Sequence, residues 1–364
     1  MRRRWGVWVL IAALVAGVAL LLWEPAPALM EWGERASPDW CAKCHAAIVE
    51  EWRGGWHAQA ATDPEMGLMT LAKNFQQQDC NLCHAPSPVF LCMDQDRFKT
   101  PARRPPDDPQ WPVGQGVDCL TCHHTPDGMA SADPRFQGAG RPSEAEAPCR
   151  PVYRPELATA DFCGACHNQH GTVDQWRATP YGTPGAPEYR TCQACHQPLG
   201  DGPATVGRPE THHASHGIVG GHDPALVRSA ATLALRRDGD AVVVTIDTRP
   251  TAHNFPTDYR TRFGLLLVEA LDGEGRVVRE LFREKYRQPF RNELGGSDPA
   301  GNTQLRWQAA PHERRVDVQG HAGRVRARLT YSLRPYTDVE NPHELTQDRI
   351  EGGAMFLVAE RVLE

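Results

Sequence analysis

Aromatic residues make up only 7% of the 364-residue chain, and no long basic run interrupts a formal net charge of −6. The first scarcity limits the apolar surface that a core made of protein alone could bury. The second removes the electrostatic footprint that a nucleic-acid partner requires. Cysteine is absent after residue 195, so thiol chemistry is confined to the part of the chain before it. Strict self-similarity at a fixed period is lacking too, which excludes a solenoid.

What is present is one pentapeptide pattern, repeated. "CAKCH" supplies Cys41, Cys44 and His45; "CNLCH" Cys80, Cys83 and His84; "CLTCH" Cys119, Cys122 and His123; "CGACH" Cys163, Cys166 and His167; "CQACH" Cys192, Cys195 and His196. These consume ten of the twelve cysteines. With 16 histidines in the chain, finding one directly after all five pairs by accident has a probability on the order of 10⁻⁷. Paired Cys-x-x-Cys units could build four-cysteine zinc sites, but five is an odd number and zinc needs no histidine at that offset. Covalent c-type haem explains both features. On one helical turn, residues i, i+3 and i+4 share a face, so two thiols reach the porphyrin edge while the imidazole comes up under the iron. The expected cofactors are therefore five haems, each thioether-bonded to one cysteine pair, which would also supply the core that the composition withholds.

The sixth ligand of each iron decides between electron relay and substrate chemistry. His57, 12 residues after His45 in a segment of amphipathic helix pattern, is the first candidate. His170 lies three residues after His167 and cannot reach the far face of that iron, so it should serve a neighbouring haem. The "THHASHGIVGGHDP" cluster offers His213, His216 and His222, and His253 lies before a proline turn further on. His124 and His212 are held in reserve. Met66, Met69, Met93 and Met129 read as packing residues, and His312, His321 and His343 as surface residues.

Glycine and proline total 63 residues, and the segments between motifs carry prolines and charges that suit surface loops. One motif falls about every 40 residues from Cys41 to about residue 226, an irregular array of short helices and loops. After residue 227 the pattern becomes β-type: 231–237, 241–247, 264–271, 276–282, 314–320, 324–333 and 355–362 alternate or are β-branched. "DGEG" at 272–275 reads as a hairpin turn. The expected fold class is α+β, a pentahaem domain over 41–226 followed by an antiparallel β-sandwich over 227–364, with immunoglobulin-like topology.

Three arginines precede an uncharged stretch from Trp5 to Trp23, about enough for one membrane crossing. Residues 1–23 are expected to anchor the chain in the cytoplasmic membrane, 24–40 to act as a linker, and the rest to lie on the periplasmic side. A cleaved signal peptide is the competing reading, since Ala26 and Ala28 suit a cleavage site, but the apolar stretch exceeds the roughly 7–15 residues usual for one. In that oxidising compartment Cys92 and Cys149 either pair or remain thiols.

"CAKCHAAIVEEWRGGWHAQAATDP", "CNLCHAPSPVF", "GVDCLTCH", "FCGACHN", "CQACHQP", "GGHDPALV" and "AHNFPT" followed by "LLLVEALDGEGRVV" together resemble the multihaem cytochromes that contain the cytochrome c554-type domain. That resemblance implies periplasmic electron transfer through mostly bis-histidine haems, and it favours His57, the 212–222 cluster and His253 as ligands. The prototype of that family carries four haems and is soluble, so its partner does not transfer. The expected function is relay from a membrane donor, such as a quinol-oxidising complex, to a periplasmic or outer-membrane cytochrome. The rival is an oxidoreductase with one five-coordinate haem acting on a nitrogen or sulfur compound, and a third reading makes the β-domain a docking module. If residues 1–23 are an anchor, carbonate washing leaves the protein in the membrane pellet, and exchanging them for a cleavable signal peptide releases it into the periplasmic fraction.

Overall fold

The computed structural model describes residues 37–62, 83–84, 116–125, 127–138, 142–143, 146–168, 171–257, 262–287, 304–333 and 355–364. The N-terminal apolar stretch lies outside these residues. Among them no helix is long and apolar enough to cross a membrane.

The first part of the chain is built from short helices that begin where the sequence supplies a cap. Helix α1 spans Pro38–Ala42, with the Ser37 side chain accepting from the Trp40 amide and proline in its first turn. Helix α2 spans Ala46–Gly54 and α3 spans Trp56–Gln59. Where the sequence pattern suggested one continuous helix, Gly55 interrupts it in an extended conformation. A Cβ at Gly55 would lie 2.7 Å from the Gly217 carbonyl oxygen, so the break lets a distant strand of chain approach. Helix α4 is the single turn Cys119–His123, capped by Asp118, whose carboxylate accepts from the Thr121 amide at 3.0 Å. Helix α5 spans Ala160–His167 behind a Thr159 cap, α6 spans Thr172–Arg177, α7 spans Cys192–His196, and α8 spans Pro224–Ser229 behind an Asp223 cap.

Small ladders stitch these turns together. Strand β1 (His124–Thr125) pairs antiparallel with β2 (Gly128–Ser131), which runs parallel to β3 (Pro151–Tyr153). Strand β4 (Leu199–Asp201) pairs antiparallel with β5 (His212–Ala214). The Trp52 indole N–H of α2 donates to the Val117 carbonyl at 2.8 Å, and the Val117 amide donates to the His57 carbonyl at 2.8 Å. Gly116 makes this crossing with φ +67°, where a Cβ would sit 2.3 Å from that same His57 oxygen.

The second part is a two-sheet antiparallel sandwich. Its strands are β6 (Thr232–Asp238), β7 (Ala241–Asp247), β8 (Phe263–Leu271), β9 (Val277–Arg287), β10 (His312–Asp317), β11 (Val325–Ser332) and β12 (Met355–Leu363). One sheet has the order β10-β7-β6 and the other β12-β11-β8-β9. The 272–275 turn closes the β8–β9 hairpin, with Gly275 at φ +84°. Alternation explains the core: Val242, Val244 and Ile246 of β7 face Leu266 and Val268 of β8 and Ala327 and Leu329 of β11, all fully buried. Each of the valine, leucine and isoleucine side chains contributes roughly 1.5–3 kcal/mol of transfer free energy. β9 runs five residues beyond the expected end at 282, because its polar continuation still pairs with β8 as far as Arg287↔Phe263.

One buried charge cluster interrupts the apolar sandwich. Glu269 of β8, fully buried, accepts from Arg326 at 3.0 Å and from Arg328 at 3.1 Å, both on the neighbouring β11. Glu269→Ala would leave the Arg328 guanidinium, only 4% exposed, without that carboxylate. The expected loss is about 3 kcal/mol in a denaturant titration followed by far-ultraviolet circular dichroism.

Candidate metal centres

The motif histidines His45, His123, His167 and His196 follow helical turns that carry their cysteines, and most of the described motif imidazoles are pre-oriented by the backbone. Nδ1–H of His45 donates to Ala204 O at 2.7 Å, that of His84 to Ala60 O at 3.1 Å, that of His123 to Ala130 O at 2.7 Å and that of His196 to Val219 O at 2.7 Å. A carbonyl oxygen can only accept, so the proton sits on Nδ1 and the Nε2 lone pair is left for a metal. Two histidines outside the motifs have the same arrangement: His216 Nδ1–H donates to Ala214 O and His253 Nδ1–H to Asn254 O, both at 2.9 Å.

Three motif histidines face a partner from far along the chain. His57 and His167 have ring centroids 6.1 Å apart, His123 and His216 6.0 Å, and His196 and His253 6.5 Å, with interplanar angles of 44°, 25° and 13°. Two imidazoles that each bind one iron through Nε2 at about 2 Å have centroids about 6 Å apart, once the distance from nitrogen to ring centre is added on both sides. Direct stacking looks different here: His222 lies on Trp56 at 3.5 Å. The three pairs therefore fit a hexacoordinate haem iron, and the donor chemistry agrees. Burial, followed by the neighbouring His167 and His84, lowers the pKa of His57 to about 4. Burial and then His123 lower that of His216 to about 4. Burial likewise lowers His123 and His196. His57 and His216 are thus neutral at pH 7, the form that ligates, and burial pushes His123 and His196 in the same direction.

The thiols show which motifs are neighbours. Cys41 and Cys119 are hydrogen-bonded to each other, as are Cys163 and Cys192. Motif one thus abuts motif three, and motif four abuts motif five. His84 lies near His57, the partner of His167, which brings motif two beside motif four. Cys149 is a free thiol beside Cys44 and Cys41, while its suggested partner Cys92 lies outside the described residues, as do Cys80, His170, His343, Met66, Met69 and Met93.

The structure does not place every candidate ligand opposite a motif histidine. His213 is buried with both ring nitrogens engaged: Nδ1–H donates to Gly202 O at 2.9 Å and Nε2–H to Glu51 Oε1 at 3.0 Å. Burial opposes its charge, but these two acceptors outweigh it and raise its pKa, and with both ring nitrogens engaged neither is turned toward a motif histidine. His222 accepts from Arg262 Nη2 through Nε2 at 2.8 Å, and burial followed by that guanidinium lowers its pKa to about 3. His212 is exposed beside Asp201, and His124 is buried in β1 opposite Met129. His312 and His321 donate through Nε2 to Arg306 O and Arg324 O, roles within the sandwich.

Side chains outside the facing pairs hold the segments that carry them. Glu51 of α2 is the least conspicuous of them, and nothing in "EEWRGGWH" separates it from Glu50. Gln175 of α6 accepts through Oε1 from the Asn254 amide at 3.2 Å and the Thr257 hydroxyl at 2.8 Å, which holds the His253 loop against the first part of the chain.

No family model matches the sequence, and no curated protein does. Among solved structures, the fold is similar to that of a penta-haem cytochrome c552 from Thermochromatium tepidum. The TM-score is 0.60 at 20% identity, with 90% of this chain and 99% of that one covered. The α+β architecture, with its antiparallel sheets, is thus shared with that structure.

If the facing pairs are axial ligands, His57→Ala, His216→Ala and His253→Ala should each turn one haem in five from low-spin to high-spin ferric in electron paramagnetic resonance. His312→Ala should leave the spectrum unchanged.

Proposed function

We propose that this chain is a penta-haem c-type cytochrome whose work is to relay electrons. The observation that carries the reading is the set of three facing imidazole pairs at 6.0–6.5 Å, each joining a Cys-x-x-Cys-His histidine to a residue distant in sequence. Haem iron held by cysteine thioethers supplies a one-electron ferric/ferrous couple, and two imidazoles on one iron leave it no coordination position for a substrate. The protein's own contribution is placement. Single-turn helices such as α4 and α7 put two thiols and one imidazole on a common face, and carbonyl acceptors fix the Nδ1 protons. Motif one lies beside motif three, and motif four beside motif five, so the centres they hold would be neighbours.

The cytochrome c554-type resemblance, the membrane anchor over residues 1–23 and the periplasmic location belong to the same proposal. They rest on the quoted motifs, the three arginines and the uncharged stretch. The donor is then a membrane component such as a quinol-oxidising complex, and the acceptor a periplasmic or outer-membrane cytochrome. The sandwich has an immunoglobulin-like order in this reading, with its fourth strand joined to the sheet of the third, sixth and seventh.

Expression with a c-type maturation system should give a red protein with five haems per chain by pyridine haemochrome assay. Its oxidised spectrum should be dominated by low-spin ferric signals, and it should be reducible over several one-electron steps. A colourless product would overturn the proposal. A dominant high-spin signal, with turnover of hydroxylamine, nitrite or a sulfur oxyanion, would replace relay with catalysis.

A further inference from the structure

One carboxylate grips the turn that carries His216. Glu51 projects from α2, Oε2 accepts the backbone N–H of His216 at 2.8 Å, and Oε1 accepts from His213 Nε2 at 3.0 Å. The Ser215 side chain hydrogen-bonds to the same carboxylate. His213 in turn donates through Nδ1 to Gly202 O at 2.9 Å, tying the clasp to the loop between β4 and β5. The space for it is reserved: a Cβ at Gly200 would lie 2.5 Å from Glu51 Oε1 and 2.7 Å from His213 Nε2.

The four residues 213–216 are thereby held at three successive points from one side chain. His216 at their end is the ring that faces His123 at 6.0 Å. Its backbone N–H is bonded to Glu51 and its Nδ1–H to Ala214 O, so both its main chain and its ring orientation are set by this turn. His123 is set independently, by Ala130 O on β2. The two rings of the pair are therefore located by different parts of the chain, and only the His216 side depends on Glu51.

We propose that Glu51, with His213 as its partner, is the positioning residue that keeps His216 on the iron opposite His123. This rests on the haem reading above. An outer partner of a metal ligand typically changes site affinity by about 10–100-fold when removed. Loss of Glu51 should accordingly weaken His216 ligation at one centre and leave the other four untouched.

The test uses the full-length, haem-loaded protein and its Glu51→Ala and Glu51→Gln variants. Haem content is measured first. Five haems in all three proteins, about one-fifth of the ferric signal of Glu51→Ala turned high-spin, new carbon monoxide binding to one ferrous centre, and restoration of the low-spin spectrum by added imidazole would support the proposal. Glu51→Gln keeps one acceptor oxygen and should give a smaller change of the same kind, such as a shifted potential for one haem in a spectroelectrochemical titration. A clasp that only stabilises the fold would lower the melting temperature of both variants with all five haems low-spin, and that result overturns the proposal. If Glu51→Ala does not assemble, Glu51→Gln decides: a line shape and titration curve identical to the wild type overturn it. A wild-type protein without haem would instead remove the reading on which the inference depends, a failure distinguishable at the first measurement.

Discussion

An iron held on one face by a motif histidine still needs a lone pair at the opposite pole, and the local chain cannot supply it. A residue three or four places on lies on the same side of the helix. The second imidazole must come from elsewhere, and the fold is organised around bringing it. His57 meets His167, 110 residues further along the chain, His216 crosses to His123, and His253 leaves the sandwich to meet His196. Short helices and irregular connections are what this demands, since each turn is needed only to aim one cysteine pair and one ring.

Helix α2 is where these demands converge. It starts directly after its N-cap His45, ends at a glycine break before His57, anchors the approach to motif three through Trp52, and holds the His216 turn through Glu51. Four candidate ligand histidines from three motif regions are thus referred to nine residues of helix, Ala46–Gly54. The glycines at 55, 116 and 200 mark where other backbone or a buried polar pair comes too near for a side chain. Substitution at any of them would separate elements that are remote in sequence and adjacent in space.

Much of this was legible beforehand, for reasons that differ between residues. The five pentapeptides are local patterns, so spacing alone reveals them. The sandwich strands announce themselves by alternation, and their errors are confined to ends such as β9, where polar residues still pair. His57, His216 and His253 could be nominated but not matched, because which ring meets which motif is a property of tertiary crossing. His213 and His222 sit in the same cluster as His216 and have the same side chain. What separates them is a neighbouring carboxylate in one case and a guanidinium in the other, and neither Glu51 nor Arg262 is near them in sequence. That difference among the histidines of one cluster is one that no periodicity could have shown.

The sandwich looks like an appendage with its own hydrophobic centre, yet the loop between β7 and β8 lends His253 to the other half of the molecule and is fastened there by Gln175. Modularity is therefore only apparent. A truncated relative lacking the sandwich would be no smaller version of the same device, since the ring that faces His196 would be gone with it. Gene fusion or fission at this junction could change the chemistry of the chain without altering a single cysteine.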